Sequence, residues 1–216
     1  MAITNYTNLQ TSIADFLNRD DLTAVIPDFI SLAEANFNRD IRHWQMETRT
    51  SGQQSAGDEY MQVPADWLET IRMHVVDASV TPSTSSNPIT MISRDQMADI
   101  RYKNNDNAGK NPFAYTHADG QFQLYPTPPQ NVDIELLYYQ KIPALSATTT
   151  TNWLLDDAPD VYLYGALLHS APYLQEDARI AAWAQLYSAA VANLNKASEQ
   201  TRYSGSGMKL KVRGLG

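Results

Sequence analysis

Cysteine is absent from the 216 residues. That excludes disulfides, cysteine-ligated zinc, iron–sulfur clusters and a thiol nucleophile. Long apolar runs are also missing. None approaches the ~20 residues that a membrane helix needs, which speaks against a membrane partner, and the first residues lack the pattern of a signal peptide. Basic residues are few, 16 Lys+Arg against 24 Asp+Glu, so the general surface is not one that grips nucleic acid, which takes clustered cations. Glycine is scarce, with 9 residues mostly in turns and near the C-terminus. No GxxxxGKS/T, GxGxxG or GxSxG occurs, so neither a phosphate-cradling loop nor a nucleophile elbow is expected. What is present is enough apolar material for a core, 43% hydrophobic and 10% aromatic residues, in a length that suits one domain or one domain with an insert.

The net charge of -8 is unevenly spread. Residues 1–54 carry -3, 55–151 carry -5 and 152–207 carry -3, whereas 208–216 hold Lys209, Lys211 and Arg213 with no acid. An acidic body thus ends in a short basic tail. The plain reading is a solvated terminus; the functional one is an arm that docks on an acidic or polar partner.

Periodicity predicts two amphipathic helices first. Thr7-Asn8-Leu9-Gln10 reads as a capping box for a helix with Leu9, Ile13, Phe16 and Leu17 on one face. A second helix is expected from about Thr23, with Pro27 in its first turn and an apolar stripe of Ile26, Phe29, Ile30, Ala33, Phe37 and Ile41. Ser51 to Gly57 reads as a loop. Glu59–Val63 reads as a short extended run. Glu69–Val76 reads as a half-buried strand with Ile71, Met73 and Val75 on one side. Pro82–Pro88 reads as a loop, and Ser93-Arg94-Asp95-Gln96 as a second capping box opening a helix to about Tyr102. Phe113–His117, Asp119-Gly120 and Gln121–Tyr125 predict a β-hairpin, and Val132–Lys141 a further strand. A threonine-rich linker leads to a helix that begins around Asp156–Pro159 and ends near Ala171-Pro172. A final helix from about Glu176 to Tyr203 stops at Ser204-Gly205-Ser206-Gly207. No internal repeat is found.

The fold class expected is α+β. It is a mainly α-helical bundle of two N-terminal and two C-terminal helices, with a central antiparallel β insertion and an extended C-terminal tail. The corresponding boundaries are 1–50 for the first helix pair, 51–151 for the insertion, 152–204 for the second pair and 205–216 for a flexible basic arm.

Candidate chemistry is thin. His43, His74, His117 and His169 show no metal-ligand spacing and no HExxH, and no cofactor or metal is expected. His169, near a helix end, suits a cation there. Glu34 lies among Leu32, Ala33 and Ala35 and is the best candidate for a catalytic acid. Its expected place is nonetheless a polar or subunit-facing side, and no partner carboxylate at glycosidase spacing stands out. Tyrosine is abundant, 12 residues. Tyr125, Tyr138, Tyr139, Tyr162 and Tyr164 read either as core or as part of a large interface.

Four segments carry a resemblance: Asn5 to Arg42 (NYTNLQTSIADFLNRDDLTAVIPDFISLAEANFNRDIR), Tyr60 to Met73 (YMQVPADWLETIRM), Leu137 to Leu145 (LYYQKIPAL) and Thr151 to Leu194, which contains NWLLDDAPDVYLYGALLHSAPYLQED. In these the chain resembles the head-to-tail adaptor (connector) proteins of tailed bacteriophages, especially the tail tubular protein A type of short-tailed phages. The resemblance implies a non-enzymatic virion protein, assembled in the host cytoplasm and sited at the portal vertex. It implies an oligomeric ring of twelve copies, a dodecamer, between the portal protein and a tail nozzle or other tail protein, extending the DNA channel used in ejection without binding DNA specifically. The portal-binding arm would be Met208, Lys209, Leu210, Lys211, Val212, Arg213 and Leu215, hinged at Gly205 and Gly207. Alternative readings are another head–tail completion or stopper protein, or an adaptor that also hydrolyses peptidoglycan.

Overall fold

A computed structural model describes residues 2–19, 21–77, 84–103, 109–174 and 177–203. The fold is mixed α+β, with six α-helices and seven strands among the described residues. The chain divides into two compact units, Met1–Gln45 with Ile142–Gly216, and Met46–Lys141.

The first unit is helical. Helix α1 spans Tyr6–Leu17 and α2 spans Ile26–Asp40, with Pro27 tolerated where the backbone N–H has no helical partner anyway. The cap of α1 differs from the expected box at Thr7. Asn5, in extended conformation, accepts from the Asn8 N–H at 2.8 Å, and Thr7 lies inside the helix. After the long excursion come α4 (Trp153–Asp157), α5 (Pro159–Leu174) and α6 (Asp177–Tyr203). α4 is a separate short helix ahead of the expected helix start at Asp156–Pro159, and α5 runs through Pro172 instead of stopping at it. α5 packs against α1, α2, α4 and α6. This explains why it is apolar nearly all round, with Val161, Tyr162, Ala166, Leu167 and Ala171 each at 0% exposure: a helix with neighbours on several sides has no solvent face to keep polar.

The second unit is a single seven-stranded sheet in the order β1-β7-β3-β4-β5-β6-β2. Its strands are β1 (Glu47–Gln54), β2 (Tyr60–Gln62), β3 (Trp67–Asp77), β4 (Thr84–Met91), β5 (Ala114–Ala118), β6 (Gln121–Tyr125) and β7 (Val132–Gln140), with α3 (Arg94–Lys103) between β4 and β5. The core holds Met73, Ile89, Tyr115, Phe122, Leu124, Ile134 and Leu136. The hairpin β5–β6 has the expected turn. Asp119 and Gly120 take φ of 51° and 73°, the left-handed pair that suits a two-residue loop between twisted strands. The capping box of α3 is complete: Ser93 Oγ accepts from Gln96 N at 3.2 Å and Gln96 Oε1 accepts from Ser93 N at 3.0 Å. Ser93→Ala should therefore cost about 1 kcal/mol of stability by denaturant unfolding; an unchanged midpoint would show that this helix start needs no cap.

Four expectations are corrected here. Residues 47–50 and the expected loop at 51–54 form β1, a polar strand held by its full-length pairing to β7. The Pro82–Pro88 loop gives way to β4 from Thr84 onward; its residues 82 and 83 lie outside the described residues. Pro88 is accommodated because β4 meets its second neighbour, β5, only at Thr90 and Met91. That β4–β5 pairing is parallel, with α3 as its crossover, so the sheet is not purely antiparallel. Ile71 is 40% exposed although Met73 and Val75 are buried. The register of β3 against β7 shifts between Thr70 and Arg72, and such a shift breaks strict alternation of faces.

The sheet is nearly closed. Its end strands β1 and β2 are joined by only residues 55–59, a link that reaches about 20 Å at most. Seven flat strands would put the edges about 29 Å apart. The sheet must curl, and Gln54 shows where its edges meet: its side-chain amide donates to Asp58 O at 3.0 Å and to Tyr60 O at 3.1 Å.

Candidate functional site

The proposed arm, Met208, Lys209, Leu210, Lys211, Val212, Arg213 and Leu215, and its hinge Gly205 and Gly207, lie outside the described residues. Of the residues singled out for chemistry, Glu34 is the one that the structure draws into a network. It is not on a polar or subunit-facing side but 8% exposed, on α2 inside the helical unit. Its Oε1 accepts from Leu145 N at 2.7 Å and from the Tyr162 hydroxyl at 3.2 Å. Burial pushes its pKa up, opposed by the two hydrogen bonds. Asn152 completes the group. Its Nδ2 donates to Tyr162 Oη at 2.6 Å and to Pro143 O at 2.7 Å, while its Oδ1 accepts from Leu155 N at 2.9 Å and caps α4.

One turn along α2, Asn38 Oδ1 accepts from Ile142 N at 2.9 Å. Glu34 and Asn38 stand at i and i+4, hence on one face, and they hold N–H groups of the chain as it re-enters the helical unit. At the far end of this segment Tyr6 N donates to Thr150 O at 2.7 Å. The arrangement is a bracket. It satisfies backbone donors in a segment without regular structure, where unpaired buried groups would each cost about 1–3 kcal/mol. Chemically, Glu34 is committed to this bracing, because its accepting oxygen faces two protein donors. Sequence reasoning misses Asn38 and Asn152. Asn152 carries a legible signal, an N-cap residue just before the apolar Trp153-Leu154-Leu155; Asn38 carries none.

The histidines are dispersed. His43 stacks on Trp153, with ring centroids 5.0 Å apart. His74 Nε2 lies 3.3 Å from Glu135, His117 packs on Trp67 and Phe122, and His169 contacts the Asn36 amide at 2.6 Å. Burial lowers the pKa of all four. For His169 the neighbouring Arg39 adds to that lowering, so this position disfavours the cation that the helix end suggests. Among the described residues no group of three His, Asp or Glu could hold a metal ion. No helix among them is long and apolar enough to cross a membrane.

Of the tyrosines singled out above, Tyr164 is half-buried. Tyr125, Tyr138, Tyr139 and Tyr162 are buried at 8%, 3%, 8% and 0%, which is the core reading. Tyr138 donates to Asp66 at 3.0 Å, and burial with that carboxylate pushes its pKa up to about 12. Tyr187 donates to Asp40 at 2.9 Å and is raised for the same two reasons. Among the described residues the exposed tyrosines are others: Tyr60, Tyr102 and Tyr173.

The chain matches the family of the SU10 adaptor protein over residues 4–209 and belongs to that family, a family of bacteriophage adaptor proteins that are structural components. A comparison with curated proteins finds no match.

Proposed function

We propose that the chain is a head-to-tail adaptor that assembles as a ring of twelve copies between the portal protein and the tail of a phage particle. The family match across nearly the whole chain is the observation that carries this. The narrower likeness to the tail tubular protein A type, assembly in the host cytoplasm and the place at the portal vertex belong to the same reading. So do the boundaries 1–50, 51–151, 152–204 and 205–216.

Charge supports the division of labour. Residues 1–207 carry -11 and residues 208–216 carry +3. A conduit for DNA must let it slide, and an acidic or neutral wall repels phosphate where a basic wall would bind it in a salt-dependent way. The basic segment is left free to hold a protein. In this reading Gly205 and Gly207 release Met208, Lys209, Leu210, Lys211, Val212, Arg213 and Leu215 towards the portal. No observation favours peptidoglycan hydrolysis, since the candidate acid Glu34 braces Leu145 and Tyr162.

The test is deletion of 208–216, followed by pull-down on purified portal rings at fixed, moderate salt. Binding should be lost or weakened by at least about tenfold. Equal binding by the shortened and full chains would remove the arm from the mechanism.

A further inference from the structure

Among the described residues the curled sheet is open between its end strands β1 and β2. Among the described residues β1 pairs along all eight positions with β7 alone, and β2 with β6. Their outer edges face each other across a seam closed at Gln54 and Tyr60. Beyond that closed end lies a groove of about 210 Å³, lined by Ser51 and Gly52 of β1, Met61 and Val63 at β2, and Ile134 and Leu136 of β7. An edge strand presents unpaired N–H and C=O groups, and natural edges are blunted by lysine, proline or shortness. β1, with the sequence ETRTSGQQ, is eight residues long and has no proline, and its one cation, Arg49, is paired with Glu135 of β7.

We infer that this seam is a strand-acceptor site, and that its occupant is the C-terminal segment Lys209–Arg213 of a second copy of this chain. In an extended conformation that segment places Leu210 and Val212 on one face and Lys209, Lys211 and Arg213 on the other. The apolar pair suits a groove lined by Met61, Val63, Ile134 and Leu136. The cations suit Asp58, which is exposed, and Asp133, which pairs with Gln53 beside the closed end. Residues 204–216 follow the last described residue of α6 and have a maximum reach of about 43 Å. A contact in which one part of a chain fills a different part of the next is heterologous. This inference is separate from the ring reading above, in which the same segment meets the portal. The arm serves one partner at a time, so the seam is its seat in copies that have not met a portal.

The full-length chain carries a photo-crosslinking residue in place of Leu210, and isotopically light and heavy copies are mixed at high concentration before irradiation. Mass spectrometry should find light-to-heavy cross-links from position 210 to residues 50–52 or 61–64. Gly52→Phe plugs the groove and should cut their yield about tenfold, as should Val212→Asp, which leaves the body untouched. Gly52→Ala should preserve them, because a Cβ at Gly52 meets nothing within 4 Å. Cross-links elsewhere, within single copies alone, unaffected by both blocking variants, or absent would overturn the inference. The portal pull-down is independent of it. Portal binding without seam cross-links sinks the seam alone, and seam cross-links in a chain that ignores portal rings sink the adaptor reading.

Discussion

Replacing Glu34 by alanine should destabilise the helical unit by about 3 kcal/mol, measured by denaturant unfolding. The carboxylate accepts from Leu145 N and the Tyr162 hydroxyl, both in buried surroundings. Removing it leaves two donors without an acceptor, at about 1–3 kcal/mol each, partly offset by no longer burying a carboxylate. Glu34→Gln keeps an accepting oxygen in place and should cost less than about 1.5 kcal/mol. The two variants separate a hydrogen-bonding role from a charge role.

The sign of the pH dependence follows from the raised pKa. Burial holds Glu34 above the ordinary 4.5 in the folded chain. A group whose folded value exceeds its unfolded one contributes stability that is fully present below the unfolded pKa and is lost as pH rises through the folded one. The gap between the native chain and Glu34→Gln should therefore be widest near pH about 4 and narrow towards pH about 7. A gap that stays constant or grows over that range would contradict the burial account of Glu34.

Gly165 is the second sensitive position. It lies where α5 crosses α2, and a Cβ there would sit 2.8 Å from Phe37 Cε1, 2.9 Å from Cζ and 3.3 Å from the Ala33 Cβ. Phe37 has nowhere to move. It is 0% exposed, with the Tyr162 ring at 4.9 Å and the Tyr187 ring at 6.1 Å. In an ordinary helix, alanine for glycine gains about 1 kcal/mol. Here overpacking at about 1–3 kcal/mol outweighs that gain. Gly165→Ala should lose about 1 kcal/mol and Gly165→Val about 3 kcal/mol or more. At about 2–4 °C per kcal/mol for a chain this size, the valine variant should melt about 6–12 °C lower. A stabilised alanine variant would mean that the two helices part easily.

Much of the local structure is legible because short-range rules dominate it. Asp119-Gly120 forms its turn whatever surrounds it, and Ser93 with Gln96 closes its own cap. Ile26, Phe29, Ile30, Ala33 and Phe37 face inward because helical periodicity puts them together. β1 is hidden because Thr48 to Gln54 have no apolar alternation; the ladder to β7 makes them a strand. α4 starts ahead of the helix expected at Asp156–Pro159, and Pro172 reads as a stop although the helix passes through it. Glu34 stands out as an acid among apolar neighbours. Its role depends on Leu145 and Tyr162, 111 and 128 residues away, which no local pattern encodes.

By itself the sequence determined the α+β class, the acidic body with its basic end, the absence of thiol chemistry and the phrases that mark an adaptor. These depend on composition and near-neighbour spacing. Only the tertiary structure decided that the chain's two distant helical parts are pinned by Glu34, Asn38 and Asn152. It also decided that seven strands curl until β1 and β2 meet at a seam. Both are outcomes of distant backbone groups seeking hydrogen-bond partners, and the choice among partners is made in space.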